Sequence, residues 1–371
     1  MPPSRPKPLS DASPRRRASG ASTLADVARA AGVSEMAASS ALNGGRRGSA
    51  RVSAETRERV LAVAQQLDYR PNATARALVN RRTNAIGVVT NFLGDEPNLY
   101  FLEVFSGVIQ GATAAEQTTA VFTVNSWGEA PARIPALCDG RVDGLILLAP
   151  RLPDDGATWL PPRMPLVSVH ADQPVSGAIH IDTDDEGGAF QMVRHLLGLG
   201  HRRILHVGGP AGLSGVDQRV AGYLRAHAEA GVVPAPGHVV RSPLTVEGGR
   251  DAMQAWLRQH VGHALPEAVF GGNDAIALGC LEALRAHGLR VPEDVSVIGY
   301  DHTLMTRAVQ MATVRQPLHD MGRLATEVLV GCIDASHRGE AYAGPSRILM
   351  PTETITGATL ALPPRTLLTV A

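Results

Sequence analysis

Cysteine is scarce in this 371-residue chain: Cys138, Cys280 and Cys332 are three in number and far apart, so no disulfide framework is expected. Such sparing use fits a reducing compartment. No apolar run reaches the ~20 residues that a membrane-spanning helix needs, and no signal-peptide core stands near Met1. The expected location is therefore cytoplasmic, with no membrane partner. The signatures of common catalysts are missing as well. There is no P-loop, no G-x-S-x-G elbow and no G-x-G-x-x-G after a strand, since Gly208 and Gly209 lack a third glycine. His195, His201 and His206 are not spaced as a helical metal pair, so surface or capping roles are expected for them. The run D-T-D-D-E-G at 182–187 has Val193 where a calcium loop needs its closing Glu. It reads instead as a strand end entering a helix near Gly187, with acids favoured at the helix N-terminus. Neither metal nor cofactor is expected.

A net charge of zero conceals a division. Residues 1–83 carry 15 Lys and Arg against 6 Asp and Glu, whereas the remainder carries 20 against 29. A small basic head on an acidic body implies a polyanionic partner for the head alone. Within that head, residues 1–21 are rich in Pro, Ser and Arg and are expected to be a disordered tail. The next stretch, 23–42, begins with Thr23, a good N-cap, and Asp26 three residues on. Leu24, Val27, Ala28 and Ala31 follow at helical spacing, Gly32 ends the helix, and Ser34 is placed to cap a second one running to Leu42. Two short helices joined by a tight turn make either an ordinary helical hairpin or a helix-turn-helix, whose second helix enters a major groove. After the basic loop 44–51, with Arg46, Arg47 and Arg51, Ser53 caps an expected third helix over 54–68 with Val60, Leu61, Ala64 and Leu67 on one face. A short helix over 73–79 follows Pro71 and Asn72 and is too short to be stable alone.

From Asn84 onwards short β-branched runs alternate with helical stretches. Strands are expected at 85–90, 120–125, 144–148, 166–169, 204–208, 268–271 and 295–300. Helices are expected at 100–116, 187–199, 216–230, 248–259 and 274–287. The alternation implies an α/β body of parallel sheets covered on both faces, with ligands at the carboxyl ends of the strands.

Motifs spread along the chain narrow this reading. L-A-D-V-A-R-A-A-G-V-S, L-N-G, V-S-x-E-T-R-E-R-V and Y-R-P-N-A-T-A-R-A-L occupy the head. V-D-G-L-I-L, H-L-L-G-L-G-H-R-R-I, R-V-A-G-Y, G-N-D-A-I-A-L-G, V-P-E-D-V-S-V-I-G-Y-D and T-V-R-Q-P follow in the body. In this order, from residue 23 to about 355, they resemble the LacI/GalR family of bacterial transcription regulators. That resemblance implies a helix-turn-helix head at 22–70, a hinge helix and linker at 71–83, and an effector-binding and dimerisation body at 84–371. The body would consist of two subdomains, like a periplasmic sugar-binding protein. It further implies a homodimer or tetramer acting as a repressor on a palindromic double-stranded operator, with a sugar-like effector in the cleft.

Carried over residue by residue, the resemblance assigns DNA contact to Thr23, Ser34, Glu35, Met36, Ser39, Ser40 and Asn43. Ala75 and Leu78 fall on the hinge positions, Leu78 as the wedge for a central base step. The usual V-S-x-A-T-V-S-R-V-L-N stands here as V-S-E-M-A-A-S-S-A-L-N, so Ser40 replaces an Arg suited to guanine and the usual operator does not transfer. Glu35 reads equally as a cytosine contact or as an acid on the helix dipole. For the effector the resemblance assigns Arg219, Asn273 and Asp301, with Asn91, Phe101 and Trp127 from the first subdomain and His170 in place of a common Asp. Trp127 reads equally as a packing residue, and Leu244 stands where some relatives place a stacking aromatic. Two other classes share the body: a solute-binding protein, which needs a leader and lacks a basic head, and a sugar-modifying enzyme, which needs a general acid and base in the cleft.

Overall fold

The computed structural model describes residues 22–42, 52–91, 99–152 and 164–370, and the chain divides into two compact units, 1–83 and 84–371. The expected tail, the basic loop with its three arginines, and Asn43 lie outside the described residues.

Local chemistry sets the head's helices: α1 (Leu24–Ala31), α2 (Glu35–Leu42) and α3 (Ala54–Gln66). Thr23 Oγ1 accepts from the Asp26 amide at 3.3 Å, while the Asp26 carboxylate accepts from the Thr23 amide at 3.0 Å. This reciprocal cap contributes about 1 kcal/mol. Gly32 closes α1 at φ +66°, a left-handed geometry that glycine adopts without penalty. Ser34 Oγ accepts from the Ala37 amide, and Ser53 Oγ from that of Thr56. Val27, Ala28, Ala31, Ala38, Ala41, Val60 and Ala64 meet in one small core. Leu61, expected to share the inner face of α3, is 44% exposed. One residue on a helix turns the side chain by about 100°, so Leu61 cannot follow Val60 inwards, and Val63 packs there instead. Helix α3 ends two residues earlier than expected, and Asp68 turns to φ +44°. Helix α4 (Ala73–Asn80) begins with Asn72 Oδ1 accepting from the Ala75 amide at 3.3 Å.

In the second unit the order is β1 (Ala85–Thr90), α5 (Leu99–Ala114), β2 (Thr118–Thr123), α6 (Ala130–Leu137), β3 (Gly144–Leu148), β4 (Leu166–Val169) and β5 (Ala178–Thr183). Then come α7 (Asp185–Gly198), β6 (Ile204–Gly208), α8 (Ser214–Glu229), β7 (Val239–Arg241), α9 (Val246–Gln259), β8 (Ala268–Gly271) and α10 (Asp274–Ala286). The chain ends with β9 (Ser296–Asp301), α11 (Leu304–Ala308), β10 (Ala312–Arg315), α12 (Leu318–Arg338), β11 (Arg347–Met350) and β12 (Glu353–Ile355).

Two six-stranded sheets result, ordered β11-β5-β4-β3-β1-β2 and β12-β10-β9-β8-β6-β7, parallel except for β12 against β10. The chain passes between the sheets at β5–α7, at β10–α12 and at β11–β12. Burial on both faces explains the unbroken apolar strands, such as G-L-I-L-L in β3.

Helix α12, 21 residues long, lies outside the sequence expectations. Its interior glycines weaken the local helix signal and have a packing purpose. A Cβ on Gly322 would sit 1.9 Å from the Val104 carbonyl of α5, and one on Gly107 of α5 would sit 1.9 Å from the His319 carbonyl of α12. The two backbones touch, and a side chain at either point would push them apart. Strands β5, β7, β10, β11 and β12 were likewise unexpected, being short or interrupted by polar residues. His201 and His206, for which surface or capping roles are expected, are fully buried. Aromatic packing holds His206 between Tyr223 and Phe270, and its Nδ1–H donates to the Phe270 carbonyl at 2.9 Å. Among the described residues no helix is long and apolar enough to cross a membrane.

Candidate functional site

Two regions collect the candidate residues. On the head, Thr23, Ser34, Glu35 and Met36 are solvent-exposed, Met36 to 71%, and Ser39 is half-buried. Ser40 departs from its expected groove-facing role. It is only 5% exposed, on a helix whose Ala38 and Ala41 are also buried. On α4, Ala75 is exposed, whereas the side chain of Leu78 is outside the described ones.

The second region is a cavity of about 180 Å³ in the body, at the carboxyl ends of strands from both sheets. Phe101, His170, Arg219, Asn273 and Asp301 line it together, as does Leu244. Trp127 does not. It heads a short 3₁₀ turn and is 6% exposed, buried against Val124, Ala130 and Ile134, so it is a packing residue of the first subdomain. Asn91 follows β1 directly, next to the undescribed 92–98, and is not among the described lining residues.

Arg219 projects from α8 and is held on three sides. Its Nε donates to Asp185 Oδ1 at 2.9 Å, one terminal nitrogen donates to the Gly272 carbonyl at 2.6 Å, and the guanidinium lies 3.9 Å from the Tyr300 ring centroid. Burial works against its charge, yet the fields of Asp185, Tyr300 and Asp301 outweigh burial and hold its pKa above the ordinary value. Asp301 ends β9 at φ +122°, and His170 follows β4 at φ +50°. Non-glycine residues in the left-handed region cluster at functional sites, where the surroundings must over-determine them. Burial, opposed by Arg219 and reinforced by Asp274, raises the Asp301 pKa. Burial also keeps His170 neutral by lowering its pKa.

Asn273 is partly occupied by structure: its Oδ1 caps α10, accepting from the Ile276 amide at 2.8 Å, and its Nδ2 donates to the Leu244 carbonyl at 3.4 Å. Beneath it Asp274 is buried and fully engaged. It accepts from the Thr303 amide at 2.6 Å, the Thr303 hydroxyl at 2.9 Å, Thr306 at 2.6 Å and Thr313 at 3.0 Å. These bonds tie the turn after Asp301 to the start of α10.

Sequence reasoning missed Tyr100, Asp182, Asp185, Gln218 and Arg347, all of which line the cavity. Asp185 stood in D-T-D-D-E-G, where its acid was attributed to the helix dipole. Its pairing with Arg219, 34 residues away, leaves no local mark.

Residues 23–72 match the model for bacterial regulatory proteins of the lacI family, and residues 193–360 match that for a periplasmic binding protein-like domain. The ribose operon repressor of Haemophilus influenzae is 32% identical over 83% of this chain and 91% of its own length. The HTH-type transcriptional repressor CytR of Escherichia coli K12 is 31% identical over 92% of this chain and 98% of its own. Among solved structures, the lac repressor dimer bound to operator and the anti-inducer ONPF superposes with a TM-score of 0.77 at 25% identity, covering 92% of this chain and 99% of that one. The transcriptional regulator CelR–cellobiose complex gives 0.62 at 28% identity, covering 91% of this chain and 99% of that one.

Proposed function

The chain belongs to the lacI family of bacterial regulatory proteins, and from that premise we propose a cytoplasmic repressor that binds its operator as a dimer and answers to an uncharged, hydroxyl-rich effector. DNA binding by the head and ligand response by the body are properties of the family. The lac repressor dimer on its operator supports the dimeric mode, and the ribose repressor and the cellobiose complex support a sugar. The relatives are regulators rather than enzymes, and we assign this chain no turnover.

The observation that carries the effector class is the charge balance of the cavity. Among the described lining residues each arginine already faces an aspartate: Arg219 and Asp185 at 2.9 Å, Arg347 and Asp182 at 3.0 Å, and Arg151 and Asp172 at 3.6 Å. Asp301 adds a carboxyl whose pKa burial pushes up to about 8, so near neutral pH it is mostly uncharged. A phosphate or carboxylate ligand would have to break an existing ion pair, since each arginine among the described lining residues is already matched by an aspartate. Hydroxyl groups, which donate to carboxylates and accept from guanidinium, fit without that cost.

Thermal unfolding of the full chain with D-ribose, D-glucose, D-galactose and cellobiose, each beside its phosphorylated or acid counterpart, tests this. Binding raises the melting temperature by mass action. A neutral sugar should stabilise the protein and its phosphate should not. Stabilisation by the phosphates alone would overturn the assignment.

A further inference from the structure

An uninterrupted series of side-chain hydrogen bonds crosses the cleft. Tyr100 OH meets His170 Nδ1, His170 Nε2 lies 2.8 Å from Thr183 Oγ1, Thr183 Oγ1 lies 2.6 Å from Gln316 Oε1, and Gln316 Nε2 lies 2.6 Å from Asp301 Oδ1. Its members come from both subdomains. Tyr100 and His170 belong to the first, and Asp301 ends β9 of the second. Thr183 and Gln316 sit where the chain crosses: Thr183 is the last residue of β5 before α7, and Gln316 follows β10 before α12.

Donor and acceptor chemistry gives the series one direction. Gln316 donates its amide N–H to Asp301 Oδ1 and so turns its carbonyl oxygen towards Thr183. Thr183 must then donate its only proton to Gln316 and accept from His170. His170, carrying one ring proton, spends it at Nε2 and offers Nδ1 to the Tyr100 hydroxyl. The arrangement requires a neutral imidazole and a protonated phenol. Burial enforces both, lowering the His170 pKa and raising that of Tyr100 well above its ordinary value. Thr183 and Gln316 are themselves buried, so water does not substitute for either.

We propose that Tyr100, His170, Thr183 and Gln316 form a one-directional relay that holds Asp301 Oδ1 as an acceptor, reserves Oδ2 for the effector, and ties that contact to two of the three interdomain crossings. The four are positioning residues. They determine how Asp301 is presented and bring any change at Asp301 to the segments about which the subdomains must move. His170, standing where an Asp is frequent in the family, is the member that makes a direct side-chain bridge possible, because it donates at one nitrogen while accepting at the other. The effector part of this proposal rests on the function proposed above, whereas the relay itself does not.

The test uses the full chain in wild-type form and with His170→Leu, His170→Gln and Gln316→Met. An amide at position 170 can accept from Tyr100 and donate to Thr183, and leucine can do neither. Long-range ¹H–¹⁵N correlation on histidine-labelled protein, assigned by loss of the signal in His170→Leu, reads the tautomer. The expected result is a neutral Nε2–H imidazole in wild type and a change of tautomer population in Gln316→Met, two bonds away. An Nδ1–H tautomer in wild type, or a tautomer untouched by Gln316→Met, overturns the relay whether or not any sugar binds. The same sugars, D-ribose, D-glucose, D-galactose and cellobiose, supply the functional reading. His170→Leu and Gln316→Met should weaken whichever of them binds by tenfold or more, with His170→Gln restoring most of that loss. Equal binding by the leucine and glutamine variants overturns the positioning role. Failure of all four sugars on wild type would count against the effector class and leave the tautomer result to decide the relay.

Discussion

Replacing Arg219 by methionine removes a charge that the body is built around, and the cost follows from its contacts. The side chains of Arg219 and Asp185 are 10% and 6% exposed, and they meet at 2.9 Å. Without the guanidinium, Asp185 is left as a buried carboxylate with no countercharge at that distance. Breaking a buried pair from one side costs about 3–5 kcal/mol, because the remaining charge keeps its desolvation penalty. Loss of the stacking on Tyr300 adds up to about 2 kcal/mol. At a few degrees per kcal/mol, the melting temperature should fall by roughly 10 °C or more. Asp185→Asn should restore part of that stability when combined with Arg219→Met, since the double variant buries no charge at the pair. Thermal unfolding of the wild type, both single variants and the double variant closes the cycle. Additive losses in the double variant, or an Arg219→Met protein that melts like wild type, would refute the reasoning. Arg219 is therefore part of the framework as well as a candidate ligand contact, and truncating it should disturb the body even without effector.

Other consequences follow from buried titratable groups and from the head's charge. Burial lowers the His206 pKa from 6.5 to about 4, so the unfolded chain takes up this proton first as pH falls. Stability is complete above pH 6.5 and drains away towards pH 4, by about 3 kcal/mol in all. Melting curves across that range should show the loss, and His206→Asn, which keeps a donor for the Phe270 carbonyl, should flatten the slope. Asp274→Asn sets an amide N–H against hydroxyl donors and should destabilise by about 1–3 kcal/mol, read by denaturant unfolding. Duplex binding by the full chain should weaken steeply with salt, by roughly a thousandfold or more between 50 and 200 mM if six or more phosphates are neutralised, as gel-shift titration would show.

Much of this molecule is written locally. The caps at Thr23, Ser34 and Ser53 and the strand runs at 85–90, 144–148, 166–169, 204–208 and 268–271 coincide with the structure because each depends on a few neighbouring residues. Helix α12 was not legible. Gly322 looks like a helix breaker until α5 is set against it, and only the packed pair shows why it is there. The cavity divides in the same way. Arg219, Asn273 and Asp301 stand in recognisable motifs and do converge. Asp185, which lines the cavity, and Gln316 meet Arg219 and Asp301 only where the chain crosses between the sheets, and sequence spacing does not reveal those pairings. Trp127 left two readings open, because large aromatics serve cores as readily as ligand sites, and the core of the first subdomain holds it.

The central claim is that one chain reads DNA with its head and a neutral hydroxylic ligand with its body, and that the two events are coupled. The direct measurement selects a duplex from random DNA with the full chain, then determines its affinity with and without a sugar that raises the melting temperature. The two affinities should differ by about 5- to 150-fold, and the duplex should change the sugar's affinity by the same factor, because such coupling is reciprocal. Failure to select any duplex, or an affinity unchanged by saturating sugar, would contradict the account.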